Sequence, residues 1–169
     1  YVVDTGNKRV QIFSVDGIFI QQFGGGGISA GMFDEPIALA QTVDGEWLVA
    51  DSWNRRIQRF DRSLQYVSEW EVASWESTQV GHKPFIAVDS ERGLVYATDP
   101  SHYRVLAFSL NGVYRFSWGQ YGNDAAGMML PNGIAVGRDG EVLVADSDAS
   151  RILAFAPLEP QHEAGPDTE

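Results

Sequence analysis

Four stretches of the chain lie over one another: DTGNKRVQIF at 4–13, DSWNRRIQRF at 51–60, DPSHYRVLAF at 99–108 and DSDASRILAF at 146–155. Their leading aspartates, Asp4, Asp51, Asp99 and Asp146, stand 47, 48 and 47 residues apart. Two other marks keep the same beat: Pro36, Pro84 and Pro131 differ by 48 and 47, and Phe23, Trp70 and Trp118 by 47 and 48. A period of this length restricts the chain to stacked units, each burying its apolar face only against its neighbours.

Every period reads as four short strands separated by turn signals. In the second they fall at 37–40, 47–50, 56–60 and 66–70. Asp44-Gly45, Arg92-Gly93 and Asp139-Gly140 join first to second strands, and Asp16-Gly17 and Asn111-Gly112 join third to fourth. Such X-Gly pairs predict tight, primed hairpin turns, and so antiparallel four-stranded sheets. A 44% hydrophobic content with 18 glycines suits a turn-rich all-β chain.

Four strands in 47–48 residues predict a β-propeller blade. The residues resemble the NHL repeat family: a Pro, Ile-Ala-Val, Asp-Gly, Leu-Val-Ala-Asp-Ser, an Asn, Arg-Ile, a Phe shortly after, and aromatic-Gly pairs at Phe23-Gly24 and Trp118-Gly119. The resemblance covers about residues 1–156 and implies an all-β propeller fragment. It divides into a partial blade at 1–23, blades at 36–70 and 84–118, and a partial blade at 131–156. The remainder, 157–169, is an acidic, Pro-containing tail or linker with little apolar surface to bury. Propellers close with about 4–8 blades, so further blades from a longer chain, or self-association, are expected. A start inside a blade, at Tyr1 with no Met, favours the longer chain.

Charge narrows the partners. The chain carries 23 acidic against 12 basic residues, a net −11, which repels the phosphates that supply most nucleic-acid affinity. RNA binding, which resemblance to the NHL domains of some animal ubiquitin-ligase-like proteins would imply, needs a basic face. Only Arg55, Arg56, Lys83 and Arg104 lie near the expected one. The absence of Cys excludes thiolate sites from these residues. No apolar run approaches the roughly 18 residues of a membrane helix, so no direct membrane insertion is expected.

An Asp recurring in every period reads as a structural part. Asp4/Arg9, Asp51/Arg56, Asp99/Arg104 and Asp146/Arg151 are expected to meet across the turn between second and third strands in a charge-assisted hydrogen bond. Binding residues are expected on the long loops at 24–35, 71–83 and 119–130 and on the turns beside them. The candidates on that face are Trp53, Trp75, Tyr103, Tyr121, His82 and His102. Exposed aromatics bring large contact area at small entropic cost, which suits a protein, peptide or glycan.

Other motifs carry less. The Gly24–Gly27 run followed by ISA imitates a dinucleotide loop, but without a βαβ setting it reads as a flexible loop. DSDAS at 146–150 begins like a calcium loop and lacks its Gly and closing Glu. No Ser–His–Asp set stands out. His82, His102 and His162 invite a metal test. The amidating lyases, which resemble this chain in fold, carry zinc-binding His directly after the strand-opening Pro, whereas Ile37, Phe85 and Asn132 stand there. No metal or cofactor is expected. The leading expectation is a non-catalytic NHL-type module, a sensor or scaffold within a larger protein, binding on its long-loop face. The alternative is a metal-dependent lyase or lactone hydrolase with an axial site. Resemblance to bacterial extracytoplasmic NHL domains implies an envelope or secreted setting.

Overall fold

A computed structural model of the chain describes residues 1–76 and 81–157. Most of the tail at 157–169, including His162, and residues 77–80 of the second long loop lie outside the described residues. Four antiparallel sheets follow one another. The first holds β1 (Val2–Asp4), β2 (Arg9–Phe13) and β3 (Phe19–Gly24); the second β4 (Pro36–Gln41), β5 (Trp47–Asp51), β6 (Arg56–Phe60) and β7 (Tyr66–Glu71). The third holds β8 (Ile86–Asp89), β9 (Leu94–Asp99), β10 (Arg104–Ser109) and β11 (Tyr114–Trp118). After a short parallel pair, β12 (Gln120–Tyr121) and β13 (Gly127–Met128), come β14 (Pro131–Val136), β15 (Val142–Asp146) and β16 (Arg151–Phe155). Among the described residues there is no α-helix, only 3-10 turns at Thr5–Asn7 and Pro100–His102.

Strand order within each sheet is the order along the chain, so every connection is local and the sheets stack as blades. The first strands pack in succession, β4 beside β8 and β8 beside β14, and form the inner edge. The strand-opening Pro stands where its missing N–H costs no ladder bond: Pro36 and Pro131 begin β4 and β14, and a register shift follows each. In the third blade β8 starts later, at Ile86, because Thr98 holds Phe85 instead. Its hydroxyl accepts from Phe85 N at 2.8 Å, and its N–H donates to Phe85 O at 2.9 Å.

The hairpin turns differ from the primed two-residue form. Gly17 N donates to Ser14 O and Ser14 N to Ile18 O, leaving a three-residue loop with one left-handed residue at its end. Thr42–Glu46, Ser109–Val113 and Gly137–Glu141 close the same way. A primed type I turn needs two positive φ values; these loops have one, taken by the Gly. At Asp61–Gln65 the position is held by Leu64, at φ 64°. Each outer hairpin also shifts register at its Phe, between Ile12/Phe13, Arg59/Phe60 and Ala107/Phe108. That bulge sets Phe13 on Phe19, Phe60 on Tyr66 and Phe108 on Tyr114, ring centroids 5.8, 6.3 and 6.0 Å apart.

Three cores lie between the blades. Val10 packs with Trp47, Val49 and Phe60 between the first two. Leu48, Ala50 and Ile57 meet Val95, Ala97 and Phe108 between the second and third. Tyr96 and Val105 meet Val142 and Val144 between the third and fourth. Because side chains alternate along a strand, β5 sends Trp47 and Val49 to the blade before and Leu48 and Ala50 to the blade after.

Candidate functional site

The recurring Asp and Arg face each other at the end of each second-to-third-strand pair. Arg Nε donates to Asp Oδ2 in all four: Arg9 to Asp4 at 2.8 Å, Arg56 to Asp51 at 3.0 Å, Arg104 to Asp99 at 2.9 Å and Arg151 to Asp146 at 3.1 Å. The residue before each Arg, Lys8, Arg55, Tyr103 or Ser150, has φ between 51° and 58°. Left-handed backbone at a non-Gly residue carries a cost. Here the Asp–Arg bond holds the chain in that turn.

The pair does more than close its own turn. Asp51 Oδ1 accepts from the backbone N–H of Asp34 and Glu35 at 2.8 and 3.2 Å, and Asp146 Oδ1 from Met129 and Leu130 at 2.8 and 2.7 Å. Arg56 donates to the carbonyls of Ile28, Ser29 and Met32, and Arg151 to those of Asn123 and Gly127. The pairs of the second and fourth repeats therefore grip the long loops that enter their own blades. From the other side the left-handed residue reaches the loop that leaves its blade. Lys8 pairs with Asp34, Arg55 lies 3.7 Å from Glu71 and Glu76, and Tyr103 packs on the edge of Tyr121 at 4.8 Å between centroids. The Gly24–Gly27 segment, expected to be flexible, is tied in: Gly27 N donates to Phe33 O, Phe33 N to Gly25 O, and Asn54 Nδ2 to Gly27 O.

The third repeat departs from this plan. His102 stands where Asn7 and Asn54 stand in the first two repeats, and its Nδ1 lies 3.0 Å from Asp99 Oδ1, the oxygen that receives loop amides in the second and fourth repeats. His82 Nδ1 lies 3.1 Å from Ser101 Oγ. Between them Ser52, Ser74, Trp75, His82, Asp99 and Ser101 line a cavity of about 10 Å³, room for a single water.

The sequence candidates separate into two groups. Trp53, 52% exposed, and Tyr121, 64% exposed, stand open on the loop face; Lys83 Nζ sits 5.7 Å over the Trp53 ring and binds both Glu35 carboxylate oxygens. Tyr103 is half-buried under Tyr121, His82 is half-buried and His102 exposed. Trp75 is not a surface residue: it is 5% exposed and its indole N–H donates to Thr98 O at 3.0 Å inside the second interblade core. The apolar pull of that core, with a carbonyl placed for the indole, outweighs the loop position that made it look accessible. The four basic residues near this face all have acidic neighbours: Lys83 has Glu35, Arg56 has Asp51 and Glu69, Arg104 has Asp99, and Arg55 has Glu71 and Glu76.

At the inner edge, Ile37 and Phe85 offer no donor atoms. Asn132 turns Nδ2 to Gly81 O at 3.1 Å and keeps a buried Oδ1 without a hydrogen-bond partner. This set does not fit zinc held directly after the strand-opening Pro. Among the described residues no group of three His, Asp or Glu is placed to hold a metal ion. No helix among them is long and apolar enough to cross a membrane.

The NHL repeat model matches residues 128–155, from the end of the third long loop through β16. The chain is an NHL-repeat propeller segment. The NHL segment is 30% identical over 173 residues to peptidyl-glycine alpha-amidating monooxygenase B of Xenopus laevis, across 94% of the chain and 19% of that protein. To protein brain tumor of Drosophila melanogaster it is 25% identical over 140 residues, across 82% of the chain and 13% of that protein. It thus spans less than a fifth of these curated relatives. Among solved structures, virginiamycin B lyase from Staphylococcus aureus superposes at a TM-score of 0.58 with 15% identity, over 90% of this chain and 50% of that one. That likeness is one of propeller fold.

The repeat made the Asp–Arg pairs legible. The grip on the loops was missed, because its other partners are backbone amides and carbonyls that leave no residue-type signal.

Proposed function

We propose that the long-loop face is a docking surface for a protein segment or peptide, and that the chain acts as a non-catalytic sensor or scaffold part of a larger protein. The observation that carries this reading is the exposure of Trp53 and Tyr121 on a face whose neighbouring loops are fixed from both sides. A preorganised aromatic surface binds without first paying the entropy of ordering itself. Glu71 and Glu76, both well exposed, flank Arg55 and suit a ligand with basic side chains.

The test is selection of a random peptide library on the immobilised chain, followed by titration of an enriched peptide. Trp53→Ala and Tyr121→Ala are expected to weaken it by tenfold or more with the melting temperature unchanged. Binding indifferent to both substitutions contradicts the reading, and retention of glycans in place of peptides changes the ligand class.

The likeness to an amidating monooxygenase supports a second reading, a lyase or hydrolase with an axial site. Ile37, Phe85 and Asn132 speak against it. Turnover of a peptidyl-hydroxyglycine or a lactone, abolished by Asn132→Ala, would favour it over docking. RNA retention that falls steeply with salt would favour a nucleic-acid partner instead.

A further inference from the structure

The left-handed residue before the recurring Arg touches the loop leaving its blade closely in the first and third repeats and loosely in the second. Lys8 Nζ donates to Asp34 Oδ1, and Tyr103 packs edge-on against Tyr121. Arg55 lies 3.7 Å from Glu71 Oε1 and 3.7 Å from Glu76 Oε1, beyond the roughly 2.7–3.2 Å of a hydrogen bond. Among the described residues its guanidinium makes no hydrogen bond, and the two carboxylates accept none. Arg56, one residue on, donates to Asp51, Glu69 and three loop carbonyls. The other basic groups of this face are also bonded, Lys83 to Glu35 and Arg104 to Asp99.

Two exposed carboxylates sharing one loosely held guanidinium keep a net negative charge and free acceptor atoms. An exposed pairing of this kind contributes little, so another cation can take it over. Trp53 stands on the same turn, which Arg55 N closes on Ser52 O. Its ring stays 52% exposed with Lys83 Nζ 5.7 Å from its centroid. The turn thus displays an aromatic ring that already carries an ammonium group, and beside it a seat for a second cation.

We infer that the segment docking here carries a lysine or arginine beside an apolar residue, that its cation seats between Glu71 and Glu76 with the apolar part on Trp53, and that Arg55 is the resident cation it displaces. The inference rests on the docking reading above and gives the ligand its chemistry. The chain's net charge of −11 draws such a segment in, and salt screens that attraction.

Peptides enriched from a random library on the immobilised chain are the probe, and they are expected to carry Lys or Arg beside an apolar residue. For an enriched peptide, Glu71→Gln and Glu76→Gln are each expected to weaken binding about threefold, and together about tenfold. The double variant is expected to lose most of the salt dependence. Arg55→Ser, which brings in the residue that stands at the equivalent place in the fourth repeat as Ser150 at φ 52°, is expected to tighten binding about twofold to fivefold. A residue that only shaped the turn would weaken binding when replaced. Melting temperatures control for folding, and if Arg55→Ser is not folded the glutamine variants decide. Enriched peptides without basic residues overturn the inference, as does weaker or unchanged binding to a folded Arg55→Ser chain. So does a peptide lost with Trp53→Ala and Tyr121→Ala but indifferent to both glutamates, an outcome that leaves docking on this face standing. Binding indifferent to the two aromatic substitutions as well removes the docking reading itself.

Discussion

Arg56 donates through Nε to Asp51 Oδ2 at 3.0 Å, and both side chains are buried. The rest of the guanidinium is also in use: Nη1 donates to Ile28 O and Glu69, and Nη2 to Ser29 O and Met32 O. One side chain thus joins two strands of its blade to the loop that enters the blade. Removing one member of a buried pair leaves the other charge uncompensated, which costs about 3–5 kcal/mol. Arg56→Ala is expected to lose that much in urea denaturation. Arg9→Ala, at a pair that is only partly buried and grips no entering loop, is expected to lose clearly less. Equal losses at the two sites would contradict a role set by burial and loop contacts.

The pair at the open end has a pH signature. Hydrogen bonds from Arg9 and then Asn7 hold the Asp4 carboxyl below its ordinary value, which is about 3.9. A folded-state value depressed in this way contributes stability that is fully present above the ordinary value and is lost as pH falls through the lowered one. Arg9→Ala removes the larger cause, so the Asp4 midpoint followed by NMR of its side-chain carboxyl is expected to rise. An unmoved midpoint would mean that the bond is not made in solution.

Two tryptophans on neighbouring loops should behave in opposite ways. Trp75 is buried and hydrogen-bonded, and a large aromatic truncated to Ala inside a core costs about 3–5 kcal/mol. Trp53 lies open, and surface substitutions away from special features stay within about 0.5 kcal/mol. Thermal denaturation of Trp75→Ala and Trp53→Ala separates the packed residue from the displayed one. A stable Trp75→Ala protein would return Trp75 to the binding face.

The repeat carried most of the fold. Once the aspartates, prolines and aromatics kept one period, the blades, the strand order and the Asp–Arg facing followed from two-residue alternation and chain geometry. The turn type was less legible. Gly at the end of a hairpin loop signals one positive φ without saying how many residues precede it, and Leu64 takes that conformation with no signal at all. Trp75 was misplaced because a loop residue's burial depends on the far side of the neighbouring blade, here Thr98, 23 positions away. The double grip on the loops stayed hidden for a similar reason. Asp34, Glu35, Met129 and Leu130 share no residue type, and only their amides are used.

Amide hydrogen exchange tests the central claim, that Asp51 and Asp146 clamp the loops entering their blades. In the wild-type chain the Asp34, Glu35, Met129 and Leu130 amides are expected to be protected. In Asp51→Ala, exchange at Asp34 and Glu35 is expected to accelerate strongly while Met129 and Leu130, held by Asp146, keep their protection. Unchanged exchange at Asp34 and Glu35 in a folded Asp51→Ala chain would contradict the account.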